Sequence, residues 1–139
     1  MKHNFRELKI WQRGIELSVM IYEISNDFPS EERYGLCSQL RRASVSVPSN
    51  IAEGSSRNSQ KEFIHYLSIA SGSCAEVETQ LEIAKRLGFV NEAQLATPLN
   101  ETREIQKMIY SFSASIESKL LKKIKNQITD KLQIFIGFF

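Results

Sequence analysis

The sequence predicts an all-α protein, an antiparallel up-down-up-down, left-handed four-helix bundle. Apolar residues recur at alternating steps of three and four over most of residues 8–118, which is the period of amphipathic helices. Pro, Gly, Ser or Asn interrupts the pattern near residues 28–30, 54–59 and 88–91. Connections this short join antiparallel neighbours, and the mixed spacing favours shallow crossing angles between helices.

The first helix is predicted over residues 8–27, with an apolar face broad enough to contact neighbours on two sides. Its apolar residues are Trp11, Ile15, Leu17, Ile21, Tyr22 and Ile24. Pro29 ends it, because the residue before a proline disfavours the helical conformation. Ser30 is expected to cap a second helix that begins near Glu31. That helix ends around Gly54, since glycine readily takes the left-handed conformation that closes helices.

Ser59 and Glu62 form a capping box for a third helix, which Gly88 ends. Its apolar residues follow heptad spacing: Phe63, Leu67, Ala70, Cys74, Val77, Leu81 and Ala84. Asn91 caps a fourth helix, in which Pro98 either makes a kink or marks the true first turn. The apolar positions of that helix are Leu95, Leu99, Thr102, Ile105, Ile109, Phe112 and Ile116. All four helices are expected to be roughly 20–28 residues long.

Composition and charge indicate a cytoplasmic, soluble protein. Hydrophobic residues make up 42% of the 139 residues and charged residues 24%, with a net charge of +2. Residues 119–139 are the basic part, with five Lys against one Asp. The N-terminus lacks the apolar run of a signal peptide, and we expect no stable membrane insertion. Cys37 and Cys74 have no CxxC spacing, which indicates reduced core residues rather than a metal site.

Residues 41–57, RRASVSVPSNIAEGSSR, carry the most unusual pattern of the chain. On a helical wheel one arc gathers Arg42, Ser46, Ser49, Asn50, Glu53 and Arg57. The opposite side gathers Leu40, Ala43, Ser44, Val47 and Ile51. We therefore expect a helix bent near Pro48, which lacks an N–H and frees the Ser44 carbonyl. The short polar side chains would let another surface approach closely, although a plain solvated face with a proline kink fits the same pattern.

The same stretch resembles the signature of the small four-helix-bundle proteins known as 23S ribosomal RNA intervening-sequence proteins. The resemblance continues through FRELKIWQRGIELSVMIYEISNDFPSEERYGL upstream and KEFIHYLSIASGSCAEVETQLEIAKRLGF downstream. It covers about residues 5–118 and depends most on the run Pro–Ser–Asn–Ile–Ala–Glu–Gly. The positions that match the family are Arg41, Arg42, Ser46, Pro48, Asn50, Glu53, Gly54 and Arg57.

This resemblance implies the same bundle fold and a homopentamer. The family includes the accessory variability protein of diversity-generating retroelements, which works with a reverse transcriptase and is implicated in nucleic-acid binding. The implied partners are therefore further copies of the chain, RNA or DNA, and a reverse transcriptase or other nucleic-acid enzyme. Most members of the family have no established biochemical function.

The C-terminal segment departs from the family pattern. We expect residues 1–125 to form the bundle domain and residues 126–139 to form a basic and apolar tail. The preceding KLLKKIKN is basic, and the closing LQIFIGFF is apolar. Such a tail could dock on the bundle, join an oligomer interface, touch a membrane surface or be disordered.

The residue types give no support for catalysis, so no enzyme activity is expected. His3 and His65 have no partner at the spacing of a metal site, and no cofactor motif is present. Seven residues separate Arg57 from His65, whereas helical RNA-cleaving bundles of the HEPN type have four to six. The serines around Pro48 lack a histidine partner in sequence and are expected to serve packing.

Two binding hypotheses remain. The first is a homo-oligomeric nucleic-acid-binding accessory factor, in which Lys and Arg neutralise phosphates. Its candidate cations form three groups: Arg6, Lys9 and Arg13; Arg41, Arg42 and Arg57; and Lys119, Lys122, Lys123 and Lys125. The second is an oligomeric interaction scaffold without nucleic acid. In it, Arg42, Glu53 and Arg57 form ion pairs between or within protomers, next to Ser46 and Asn50.

Overall fold

The computed structural model describes residues 3–138, which fold into helices and contain no strand. The four α-helices are α1 (Lys9–Ser25), α2 (Leu36–Ser55), α3 (Gln60–Arg86) and α4 (Glu92–Gly137). Short 3-10 turns at Phe5–Glu7 and Ser30–Glu32 precede α1 and α2. Helices that follow one another along the chain pack together, and α1 also packs against α4. The prediction of an all-α four-helix bundle is confirmed.

The core consists of the residues that the apolar spacing selects. The heptad positions of α3 from Phe63 to Ala84 are all buried, as are Leu17 and Ile21 of α1. Cys37 and Cys74 are buried and unpaired, so they are small core residues. Helix α1 contacts neighbours on two sides, α2 and α4, as its broad apolar face predicts. Ile15, Val19 and Tyr22 on the same helix remain exposed in the single chain.

Helix α2 begins later than predicted, at Leu36 instead of near Glu31. Ser30 makes no side-chain capping bond, since residues 30–32 form a 3-10 turn after Pro29. The Glu32 carboxylate instead accepts a hydrogen bond from the Leu36 N–H, at 2.9 Å. A carboxylate at a helix N-terminus satisfies a donor that the helix leaves unpaired and complements the helix dipole.

Gly54 does not end α2 in the left-handed conformation, because the helix continues through Ser55. Gly88 is the only residue with a positive φ within residues 3–138. Gly54 is instead buried where α2 meets α3. A β-carbon at this position would lie 2.6 Å from the Tyr66 Cβ and 3.0 Å from the Phe63 Cδ1. Glycine is therefore required for the close approach of two helices, and the prediction of a glycine cap is wrong.

The ends of α3 and α4 follow the sequence more closely. Ser59 caps α3 by accepting a hydrogen bond from the Glu62 N–H at 3.1 Å. Gly88, with φ +78°, closes α3. There the Gly88 N–H donates to the Lys85 carbonyl and the Phe89 N–H to the Ala84 carbonyl, which is the Schellman arrangement. Asn91 caps α4 through a capping box completed by Gln94.

Helix α4 is much longer than expected, at 46 residues. It begins at Glu92, so Pro98 lies inside the helix rather than in its first turn. It also continues without a break past residue 126, the boundary predicted for the tail. Side chains from residue 121 to 138 are exposed, so this part does not dock on the chain's own bundle. Within residues 3–138, no helix has a stretch both long and apolar enough to cross a bilayer.

Candidate functional site

Helix α2 has the two-sided character that the wheel predicts. Its apolar side is buried and consists of Leu40, Ala43, Ser44, Val47 and Ile51. The carbonyl of Ser44, which Pro48 leaves without its helical donor, accepts a hydrogen bond from the Ser18 hydroxyl of α1 at 2.9 Å. A β-carbon on Gly14 would lie 3.2 Å from the Pro48 Cβ. Helix α1 therefore packs against Pro48. Ser18 of α1 supplies the missing hydrogen-bond donor, and Gly14 leaves room for the proline ring.

Ser46 of the predicted polar arc contacts α3, and Asn50 binds Ser46 from the same helix. The Ser46 and Ser73 hydroxyls share a hydrogen bond, with 2.8 Å between their oxygens. The Asn50 amide donates to the Ser46 carbonyl at 2.8 Å and to the Ser46 hydroxyl at 2.9 Å. Ser46 and Asn50 are half-buried, and Ser73 is buried. They form a polar contact between helices, which agrees with the expected packing role of the serines.

Arg41 is held at the end of α1. Its guanidinium donates to the Ser25 hydroxyl at 2.8 Å and to the Asn26 side-chain oxygen at 2.9 Å. It also lies over the Tyr22 ring, 4.6 Å from the centroid. Most of its donor capacity is therefore used inside the chain.

Arg57 and Glu53 form an ion pair within the protomer, 2.6 Å from nitrogen to oxygen. Arg57 also donates to the Tyr66 hydroxyl at 2.6 Å, and its guanidinium lies over the Tyr66 ring. Tyr66 is the residue whose Cβ borders Gly54. The close packing at Gly54 thus places the tyrosine where it can bind Arg57.

Arg13 joins α1 to α4 through a bidentate ion pair with Glu101, at 2.6 Å and 2.8 Å. Hydrogen bonding from Arg13 lowers the pKa of Glu101, against a smaller opposing effect of burial. The same pair raises the pKa of Arg13. Phosphate binding by Arg13 would have to break a planar, two-bond contact of the kind that arginine makes best.

Other candidate cations are unengaged. Arg42 and Lys9 are exposed and make no hydrogen bond or ion pair with residues 3–138. Arg6 is exposed and lies over the Phe5 ring, 4.5 Å from its centroid. Four exposed lysines lie on the outer part of α4: Lys119, Lys122, Lys123 and Lys125. These cations lie on α2, at the start of α1 and on α4, so one chain does not gather them into a single patch.

An apolar groove between α1 and α2 is the feature that the sequence reasoning missed. Ile15, Val19 and Tyr22 of α1 line it, together with Val45 of α2 and their neighbours. Arg42 precedes Val45 by three residues and therefore lies on the same side of α2 as this groove residue. The broad apolar face of α1 was visible in the sequence. The sequence does not show that this face stays exposed, because its exposure depends on where α2 and α4 pack.

Both histidines contact aromatic rings. His3 packs against the Phe63 and Phe112 rings, with centroids 5.3 Å and 5.5 Å away. His65 is exposed beside Tyr66. Between residues 3 and 138, no three His, Cys, Asp or Glu side chains are grouped as a metal site would require.

Comparison with known proteins fixes the family. The model of the 23S rRNA-intervening sequence protein family matches residues 6–111. The chain belongs to this family. The matched residues include all of α2 with its polar arc, and the match ends inside α4. The part of α4 after residue 111 therefore lies outside the family match. The family resemblance predicted from residues 41–57 is confirmed.

A solved structure supports the same family and fold. It is the crystal structure of a protein with unknown function from the S23 ribosomal protein family, from Bacteroides thetaiotaomicron VPI-5482. The two chains are 25% identical, with a TM-score of 0.68. The similarity covers 75% of this chain and 97% of the other. Comparison with curated proteins gives no match.

Proposed function

We propose that the protein is a non-enzymatic, homo-oligomeric accessory factor that binds RNA through cations brought together by assembly. The observation that carries the proposal is the uncovered apolar groove between α1 and α2. Arg42, three residues before the groove residue Val45, makes no ion pair within residues 3–138. The name of its family refers to an intervening sequence of 23S rRNA. That name agrees with an RNA partner.

The first step of the proposal is that the groove is a subunit contact. Ile15, Val19, Tyr22 and Val45 are each 40–52% exposed and lie side by side. Contiguous apolar surface of this kind marks protein interfaces. Covering it with a second copy would remove the apolar area from water, which favours association. The subunit number of five and a reverse-transcriptase partner stay predictions of the resemblance, and the cytoplasmic location stays a prediction of composition and charge.

The second step is that assembly creates the RNA site. In a single chain, other side chains hold Arg13, Arg41 and Arg57, and the remaining candidate cations are spread over separate helices. A ring of copies repeats Arg42 once per subunit around the contact. Repeated weak phosphate contacts on one assembly raise its affinity for a long strand without any new contact type.

Paired substitutions test the assembly step. Ile15, at 41% exposure in the groove, and Ile69, at 39% exposure on α3, offer the same side chain at nearly the same exposure. We expect Ile15→Asp to reduce the mass in light scattering to that of one chain, because the charge would be buried at the contact. Ile69→Asp should leave the mass unchanged. A monomeric wild type, or equal masses for the two variants, contradicts this step.

Filter binding tests the RNA step. A single-stranded RNA should be retained at about 50 mM salt, a permissive condition for phosphate contacts. Arg42→Gln, alone or with Arg41→Ala, should weaken retention. The control is Arg33→Gln, the same change at an exposed arginine of the loop before α2. Absence of retention by the wild type at this salt would remove RNA binding from the proposal.

The scaffold without nucleic acid is the second candidate. It is favoured by the intramolecular contacts of Arg13, Arg41 and Arg57, because phosphate binding by these arginines would have to break them. On this hypothesis Glu53→Lys should dissociate the oligomer, because it replaces an ion pair with two adjacent positive charges. An unchanged elution volume on a sizing column argues against it.

A further inference from the structure

The outer part of α4 leaves the bundle as a single helix. Ile116 is the last buried side chain, and the helix continues to Gly137. At 1.5 Å per residue, these 21 residues project about 31 Å. The family match ends at residue 111, so this extension is a feature added to the family domain. It needs a separate explanation.

The extension is amphipathic in spite of its full exposure. Leu121, Ile124, Ile128 and Leu132 follow one another at steps of three, four and four, and they form one exposed apolar stripe. The opposite side of the helix is polar and contains Lys119, Lys122, Lys123, Asn126, Thr129, Asp130 and Gln133. Ile134, Ile136 and Phe138 widen the apolar surface at the end of the helix.

The charges beside the apolar stripe distinguish two possible partners, a second copy of the chain and an anionic surface. Lys125 and Lys131 flank the stripe on its two sides by helical spacing, and the only acidic residue after Glu117 is Asp130. A second copy packed along the stripe would place lysine beside lysine, with no acidic residue in the flanking positions to pair with them. An anionic surface would be complementary to Lys125 and Lys131 beside the stripe.

We propose that the extension binds an anionic lipid surface as an amphipathic helix lying in the plane of the headgroups. The apolar stripe would enter the boundary between headgroups and acyl chains. Lys125 and Lys131, at its edges, would reach back to lipid phosphates through their flexible stems. Apolar burial and electrostatic attraction then act together. This inference is independent of the proposed RNA binding.

Vesicle flotation of the full chain tests the apolar stripe. The vesicles are phosphatidylcholine with roughly 30% phosphatidylglycerol, a strongly anionic surface. We expect the wild type to float with these vesicles. Ile128→Ser together with Leu132→Ser should weaken binding about 100-fold, since two large apolar side chains are lost. Asn126→Ser together with Gln133→Ser is the matched control on the polar side and should bind like the wild type.

The charge requirement is tested with the same assay. Lys125→Gln together with Lys131→Gln should weaken binding to anionic vesicles about 25-fold, at roughly fivefold per lysine. Pure phosphatidylcholine vesicles should bind the wild type weakly. Equal binding to both vesicle types, or absence of binding to the anionic ones, overturns the proposal.

Two further outcomes would also reject the lipid surface. If the Ile128→Ser, Leu132→Ser variant floats normally but loses mass in light scattering, the stripe is a contact between copies. If it floats normally but loses RNA retention, the extension is part of a nucleic-acid site. Helical content from circular dichroism should match the wild type, because these side chains contact no other element.

Discussion

The crossing of α2 and α3 at Gly54 makes a prediction whose sign can be worked out from the structure. Replacing Gly54 with Ala adds a methyl group 2.6 Å from the Tyr66 Cβ and 3.0 Å from the Phe63 Cδ1. The nearer atom is attached directly to the α3 backbone, so rotation of a side chain cannot relieve the clash. One of the two helices must move.

Two opposing effects determine how much Gly54→Ala changes the free energy of unfolding. Alanine in place of glycine inside a helix stabilises it by about 1 kcal/mol. Overpacking a well-packed contact costs about 1–3 kcal/mol, and a clash with an atom next to the backbone belongs in the upper half of that range. The net expectation for Gly54→Ala is therefore a loss of about 1–2 kcal/mol in the free energy of unfolding.

Gly72 provides the matched control. It also lies inside a helix, and a β-carbon there would meet nothing within 4 Å. Gly72→Ala should therefore gain about 1 kcal/mol from helix propensity alone. Urea unfolding followed by circular dichroism at one protein concentration measures both variants, with unchanged m-values expected. Equal stability of the two variants would refute the assignment of Gly54 to close helix packing.

Three further predictions follow from single contacts. Ser18→Ala should cost about 1 kcal/mol of stability, because the Ser44 carbonyl beside Pro48 loses its donor; no loss in urea unfolding contradicts this. The pKa of Glu101 is lowered in the folded state, mainly by its hydrogen bond from Arg13. The pair therefore stabilises the fold at pH values above the pKa of Glu101 in the unfolded chain, about 4.3. This stabilisation is lost as the pH falls through the pKa of Glu101 in the folded protein. The stability difference between wild type and Glu101→Gln should shrink from pH 6 to pH 3, and a constant difference would exclude the pair as its source. Burial raises the pKa of Cys74 to about 12, so alkylation at neutral pH should require unfolding; rapid labelling of the native protein would contradict that burial.

The sequence predicted the helices and most of the core because both depend on local periodicity. The heptad positions of α3 are buried as a set, and Ser59, Gly88 and Asn91 act at helix ends as their residue types suggest. Gly54 was misassigned because a glycine near a helix end suits a cap equally well, and only the position of α3 distinguishes the two roles. The length of α4 was underestimated because a familiar family pattern ends earlier than this helix.

The site was harder to predict than the fold. The sequence shows how many arginines are present but not which acid or hydroxyl each of them reaches. Arg13 pairs with Glu101, 88 residues away along the chain, and Arg41 with Ser25 and Asn26 on the preceding helix. Arg57 pairs with Glu53, four residues earlier, a spacing that the sequence does show. The sequence alone therefore could not show which arginines have partners within the chain and that Arg42 is not among them.

The most direct test of the proposed function is the salt dependence of RNA affinity, measured on the assembled wild type and on Arg42→Gln. Each phosphate contact to a single strand contributes a slope of about −0.7 in a plot of log affinity against log salt concentration. The proposal predicts a steep negative slope for the wild type and a shallower slope for Arg42→Gln at unchanged oligomer mass. Identical slopes, or RNA affinity that does not depend on salt, would contradict it.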